Sequence, residues 1–290
     1  MNKLLQLLRL MRPHQWVKNG FVFTGLLFGH AWHDPARVMQ VVMAFAAFCL
    51  MSSSVYVLND IVDVEQDRQH PKKRLRPLAA GRVSLVSAVV LAVVLGAAGL
   101  VLGREVSPIV ASILLGYAVM NIAYSIHLKH VVILDIFIIA TGFMLRILAG
   151  TLGVGIAPSQ WLLLCGLMVT LFLGFTKRRA EIIALAEDKT SHRKVLEHYS
   201  PVLLDKMIGI TAAGLIMSYS LYTMNPDTIR VHGTANLIYT VPFVMYGVFR
   251  YIYLLHHQSR GGDAAHDLVR DPHLFIVVGA WLLTTILLIA

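Results

Sequence analysis

Four acids followed by five bases fall between Asn59 and Pro77, in the stretch NDIVDVEQDRQHPKKRLRP. Asp60, Asp63 and Asp67 recur at i, i+3 and i+7, so on a continuous helix they project from one face, with Asn59 one turn from Asp63. Stacked like charges cost an isolated helix about a few tenths of a kcal/mol per pair, and a bridging cation relieves them. Oxygen-only ligands suit Mg²⁺, which is commonly shared between one or two carboxylates and the phosphates of a substrate. The three aspartates, with Asn59, are therefore the candidate metal ligands and catalytic centre. Lys73, Arg74 and Arg76 have the chemistry to grip phosphate oxygens. The competing reading is a solvated helix end whose acids pair with neighbouring Lys and Arg. Against it, the acids precede the bases as a block, directly after the uncharged run Val38–Leu58.

Two further places carry charge where it is costly or concentrated. TKRRAE sets Lys177, Arg178 and Arg179 at the end of an apolar run, with Glu181 one turn beyond Lys177, and offers a second phosphate clamp. Membrane topology alone also places bases there. Arg146 lies deep in an apolar run, where a charge costs at least ~2.5 kcal/mol on insertion scales and usually faces an aqueous cavity. Asp135 precedes it by about three helical turns and shares its face. The alternative for this pair is a structural bridge between helices. The thirteen histidines include no HExxH, and no nucleophile elbow or Ser/His/Asp pattern is present.

These residues need elements that a bilayer dictates. Of the 290 residues 57% are hydrophobic and 14% charged, against about a quarter charged in a soluble domain. Six charge-free runs are long enough to span, namely Val38–Leu58, Val83–Gly103, Val106–Ile126, Met207–Pro226, Val231–Phe249 and Pro272–Ala290. GTLGVGIAPSQ (Gly150–Gln160) divides Asp135–Thr176 into two more. Asn19–His33, after an interfacial Trp16, is read as the first. The expected fold is all-α, a polytopic bundle of nine transmembrane helices forming one integral-membrane domain over residues 1–290. Residues 1–15 form a basic amphipathic interfacial segment, and no cleavable signal peptide is evident. The two cysteines, Cys49 and Cys165, lie inside spans and imply no disulfide framework.

With the N-terminus on side one, that side holds 21 of the 25 Lys and Arg residues. The positive-inside rule makes side one cytoplasmic, so the N-terminus and the polar loops face the cytoplasm of an inner membrane. The net charge of +9 is then largely topology and not a nucleic-acid footprint. Glycines in GYAVMNIAYS, ATGFMLRILAG and AVVLGAAGLVLG suit close helix packing, within the bundle or between subunits of a homo-oligomer.

NDIVDVEQD followed by RP resembles the first aspartate-rich motif, NDxxDxxxD, of the UbiA superfamily of intramembrane prenyltransferases. RPHQWVKN (Arg12–Asn19), HPKKRLRPLAAG (His70–Gly81), YSIHLKH (Tyr124–His130), LDIFIIATGFMLRILAG (Leu134–Gly150), TKRRAE (Thr176–Glu181) and, more loosely, GGDAAHDLVRD (Gly261–Asp271) are similar to its decaprenyl-phosphate phosphoribosyltransferase branch. The resemblance implies a nine-helix fold with Mg²⁺ and diphosphate in a cytoplasmic-side cavity. It also implies transfer of 5-phosphoribose from phosphoribosyl pyrophosphate to a polyprenyl phosphate drawn from the bilayer, with pyrophosphate released. Lys18, Tyr124, Lys129 and Arg146 are carried over as cavity or lipid-phosphate contacts. Lys177 and Arg178 are carried over as phosphate contacts, with Glu181 fixing Lys177 or joining the metal shell.

The aromatic prenyltransferases of this superfamily carry a second acidic motif, DxxxD, after the sixth span, where this chain has basic KRRAE. That departure disfavours a prenyl diphosphate donor and suits one bearing more phosphate. The alternatives are a prenyltransferase using prenyl diphosphate and, from another class, a transporter or lipid flippase whose pathway Arg146 would line.

Overall fold

A computed structural model describes residues 3–71, 73–187, 199–257, 267–268 and 270–289. Most of the loop Gly261–Asp271 and the middle of the Lys177–Lys206 loop therefore lie outside the described residues. Among the described residues every regular element is helical and no strand occurs. The chain divides into two compact units, Met1–Pro158 and Ser159–Ala290.

The first unit contains α1 (Lys3–Met11), a 3-10 segment (Pro13–Phe23), α2 (Thr24–Phe28), α3 (Pro35–Val62), α4 (Val64–Gln69), α5 (Leu85–Val106), α6 (Pro108–Ile126) and α7 (Leu134–Ala149). The second contains α8 (Gln160–Glu187), α9 (Pro201–Met224), α10 (Pro226–His232), α11 (Val241–His257) and α12 (Pro272–Ile289). Several helices begin at one local signal, a short polar residue followed by proline. Asp34, Ser107, Ser200, Asn225 and Asp271 cap backbone N–H groups of the helices that start at Pro35, Pro108, Pro201, Pro226 and Pro272. The cap satisfies donors that the first turn leaves open, and proline there has no N–H to leave unsatisfied.

Among the described residues eight helical segments are long and apolar enough to cross a membrane, and the chain is an integral multi-pass membrane protein. The ninth expected helix, over Asn19–His33, is not a helix of spanning length. In its place the 11-residue 3-10 segment runs into the 5-residue α2. Arg12, Trp16, Asn19 and Phe23 meet Asp60, Ser53, Ser52 and Phe45 in order, so the segment lies antiparallel along α3. From Asp60 back to Phe45, α3 rises about 22 Å at 1.5 Å per residue. The segment covers the same distance between Arg12 and Phe23, at about 2.0 Å per residue, which is the rise of a 3-10 helix. It reaches along the bundle by stretching, which a count of apolar residues at the α-helical rise does not register.

Helix α3 is the axis of the first unit, and its membrane window is 61% buried, the largest share among the eight. Val41, Ala44, Phe48, Met51 and Val55 of α3 pack with Val22, Val110, Leu114 and Tyr117 in one apolar core. Gly99 of α5 faces the backbone at Ala47 and Met51, and Gly103 faces Leu114 of α6. The small residues of that stretch thus pack within the unit. Gly116, by contrast, borders open space within this chain. The closest approach is where α7 ends. A Cβ on Gly150 would stand 1.7 Å from the carbonyl oxygen of Val22, and one on Gly25 would stand 2.0 Å from the carbonyl oxygen of Gly150.

Neither contact has a flexible side chain that can yield. Gly150→Ala is expected to lower stability by about 1–3 kcal/mol, as overpacking does. Gly209→Ala, at a helical position with open space, should not. Thermal unfolding of the two variants in detergent tests this, and a Gly150→Ala midpoint equal to wild type would refute the close contact.

Candidate active site

The acidic motif lies where α3 gives way to α4. The helix is interrupted at Asp63 (φ −92°, ψ 6°), although the Asp63 N–H still reaches the Asn59 carbonyl and the Asp67 N–H reaches that of Asp63. Asp60 and Asp67 are almost fully buried, at 3% and 2% exposure. Their carboxylates converge on a single nitrogen, since Arg76 Nη1 donates to Asp60 Oδ1 at 3.1 Å and to Asp67 Oδ2 at 2.6 Å. Asp60 Oδ1 also accepts from Arg12 Nη2, and Lys73 Nζ lies 3.9 Å from Asp67. Asp63 does not share that point. Its carboxylate accepts instead from Lys129 Nζ at 2.8 Å, and Asn59 Oδ1 is bonded by the Ser125 hydroxyl. The expectation of three acids on one face thus holds for Asp60 and Asp67, while the break at Asp63 separates its pairing from theirs.

The acids do pair with Lys and Arg, as the bland alternative required, but this is not a solvated surface. A buried carboxylate is tolerable only when paired and hydrogen-bonded. The cations come from three separate segments, the start of the 3-10 segment, the loop after α4 and the connection after α6. Arg74 is exposed, Lys18 is exposed beside the buried Asn19, and Tyr124 is partly buried next to Ser125.

Among the described residues no group of three or more His, Cys, Asp or Glu side chains has metal-binding geometry. Mg²⁺ does not require one, because it usually takes one or two carboxylates and completes its shell with water and phosphate oxygens. Asp60 and Asp67 supply two buried carboxylates aimed at one cationic position, and that donor set fits Mg²⁺. Asp63 and Asn59 reach that position only if Lys129 and Ser125 release them.

Arg146 is 4% exposed and its bonds are made within the core. Its Nε donates to Asn19 Oδ1 at 2.7 Å, Nη1 to the Gly142 carbonyl at 2.7 Å and Nη2 to the Tyr117 hydroxyl at 3.1 Å. The rings of Phe48, Tyr117 and Phe143 surround the guanidinium. Asn19 in turn donates to Ser52 and Cys49. The arrangement joins α7, α6, the 3-10 segment and α3 without a carboxylate, through hydrogen bonds and cation–π contact. Asp135 is fully buried on the same helix, as its place on the Arg146 face implied.

In the second unit, Arg178 Nη1 donates to Glu181 at 2.6 Å, so Glu181 is engaged by Arg178 and not by Lys177, whose side chain is exposed. Arg179, grouped by sequence with the second phosphate clamp, instead bonds Asp205 of α9 at 2.6 Å and the Leu255 carbonyl of α11 at 3.4 Å. Arg250 clamps Asp271 at 2.8 Å, and the Leu274 N–H adds a bond at 2.9 Å. Those two contacts, the guanidinium first, hold the Asp271 carboxyl below the usual carboxylate range.

Arg12 was the chief omission among the candidates. It stands in the quoted RPHQWVKN, but its partner is 48 residues away, so no local spacing marks it. Ser125 and Asn19 were missed for the same reason.

Among the described residues the protein is a helical membrane protein whose buried aspartates and cations gather at the end of the helix central to its first unit. The UbiA prenyltransferase family model matches residues 20–287, and the chain belongs to that family of transferase enzymes. It is 32% identical over 287 residues to the decaprenyl-phosphate phosphoribosyltransferase of Mycobacterium tuberculosis, covering 98% of this chain and 94% of that protein. The protein of the same name from Corynebacterium glutamicum is 33% identical over 281 residues, covering 95% and 84%. Among solved structures, a UbiA homolog from Archaeoglobus fulgidus bound to GPP and Mg²⁺ aligns with a TM-score of 0.71 at 17% identity, covering 98% of this chain and 96% of that one.

Two outcomes are expected from these contacts. Arg146→Lys should lower the unfolding midpoint in detergent, because one ammonium cannot reproduce bonds aimed at Asn19, Gly142 and Tyr117 together. An unchanged midpoint would mean that Arg146 does not brace these helices. Asp271 has a depressed folded-state pKa. Its stabilisation is therefore present above about pH 4 and is lost as pH falls through the lowered value. The stability difference between wild type and Asp271→Asn should shrink on acidification, and a difference constant from pH 7 to pH 3 would refute the pairing.

Proposed function

We propose that this enzyme transfers 5-phosphoribose from phosphoribosyl pyrophosphate to a polyprenyl phosphate, at the cytoplasmic face of an inner membrane. The observation that carries the reading is the convergence of buried Asp60 and Asp67 on one cationic position, held by Arg76 and flanked by Arg12 and Lys73. Near-full-length similarity to two relatives named decaprenyl-phosphate phosphoribosyltransferase supports the choice of donor and acceptor.

In the reaction the bond from ribose C1 to the diphosphate oxygen breaks, and one from C1 to an oxygen of the lipid phosphate forms. Pyrophosphate carries away the electron pair. Asp60 and Asp67, joined by Asp63 and Asn59 once their present partners are released, would hold Mg²⁺. When bound, Mg²⁺ supplies charge neutralisation for the diphosphate leaving group. Lys73, Arg74 and Arg76 bind phosphate oxygens from the loop after α4, Arg12 keeps Asp60 oriented, and Lys129, once released from Asp63, contacts a substrate phosphate. Lys177, Arg178, Lys18 and Tyr124 are proposed as further substrate contacts, with Glu181 orienting Arg178. The acceptor phosphate is already anionic, so no strong general base is needed, and rate comes from positioning and electrostatics. Arg146 acts at a remove, holding the helices that carry the site. The basic KRRAE in place of a second acidic motif disfavours a prenyl diphosphate donor.

The test incubates the purified chain with Mg²⁺, polyprenyl phosphate and radiolabelled phosphoribosyl pyrophosphate, then follows label into the lipid phase. Label should transfer, disappear with EDTA, and fall at least about 100-fold in Asp60→Asn and Asp67→Asn, as losses of electrostatic stabilisation do. No transfer, with turnover of a prenyl diphosphate instead, would overturn the substrate assignment.

A further inference from the structure

Arg76 occupies the one point on which the two most buried acids of the site converge, and its own side chain is 30% exposed against 3% for each carboxylate. It is therefore the most solvent-accessible member of the trio. It follows the short 3-10 turn Lys73–Leu75, in the loop after α4, whereas Asp60 sits in the last turns of the central helix. Asp60 keeps Arg12 as a partner if Arg76 leaves, and Asp67 keeps Lys73 nearby. The acids are thus provided with second cations, and departure of the first does not strand them.

A guanidinium and a divalent cation cannot share a position between two carboxylates, because they repel and need the same oxygen lone pairs. The guanidinium fork also matches a diphosphate as well as it matches a carboxylate. We propose that Arg76 is an internal counter-cation that competes with the divalent cation for the place between Asp60 and Asp67, and that entry of the metal transfers Arg76 from the acids to the diphosphate. The inference rests on the donor class named under Proposed function. It adds a consequence for affinity. Metal alone binds weakly because it must displace Arg76, and a diphosphate that takes up Arg76 offsets that displacement. Metal and diphosphate then strengthen each other's binding by the same factor.

The probe is Mn²⁺ alone, titrated against the full-length chain in detergent, with free Mn²⁺ followed by electron paramagnetic resonance. Arg76→Gln should bind Mn²⁺ at least tenfold more tightly than wild type. Arg68→Gln removes a charge from the exposed pair with Glu65 and should leave the affinity unchanged. Equal or weaker Mn²⁺ binding by a folded Arg76→Gln protein overturns the proposal. Because that variant exposes two buried acids to repulsion, a second measurement uses wild type. Saturating Mn²⁺ should increase phenylglyoxal labelling of Arg76, read by peptide mass spectrometry, and a rate unchanged or reduced by Mn²⁺ overturns the proposal. Neither experiment includes a phosphoribosyl donor. Label transfer with Arg76 indifferent to Mn²⁺ would sink this inference alone, and Mn²⁺ exchange at Arg76 without phosphoribosyl transfer would sink only the donor assignment.

Discussion

Two carboxylates buried at the end of a membrane helix impose a condition on everything around them. Burying an ionised acid is costly unless cations and donors meet it, and at Asp60 and Asp67 they come from segments far apart in the chain. Arg12 ties the start of the 3-10 segment to Asp60, Arg76 draws the loop after α4 back over both acids, and Lys129 fastens the connection after α6 to Asp63. The polar end of the first unit is thus assembled by charge, and the apolar contacts along α3 supply the rest of its cohesion.

The same economy appears deeper in the unit, with the sign reversed. Arg146 is a buried cation with hydrogen-bond acceptors and aromatic faces around it. A guanidinium has donors in a fixed plane, so three helices and the 3-10 segment must hold their spacing for all of them to be met. Rigidity of this kind suits an enzyme whose catalysis depends on positioning, because the acids must keep their aim when substrate charges arrive. A transporter, by contrast, would leave such a cation facing a pathway.

Much was legible before any coordinates. The apolar runs gave the membrane class and the spanning helices, since hydrocarbon thickness fixes the number of residues a helix needs. The order of acids and bases after Leu58 marked the chemistry. A ninth helix was expected over Asn19–His33, where the chain instead passes from the 3-10 segment Pro13–Phe23, which gains more length per residue than an α-helix, into the short α2. Glu181 was expected to fix Lys177 or to join the metal shell, yet it pairs with Arg178, three residues before it.

What the sequence determined by itself was therefore local or cumulative, namely hydropathy, spacing along helices, and the presence of acids and phosphate-type cations in one stretch. Only the tertiary structure decided which charge meets which. Asp60 with Arg12, Asp63 with Lys129 and Arg146 with Asn19 join residues 48, 66 and 127 positions apart. Spacing along a helix specifies neighbours three and four residues away and no further. Partners at such separations are chosen by packing, through close approaches such as that of Gly150 to Val22, and by the cost of leaving any of these buried groups unmet.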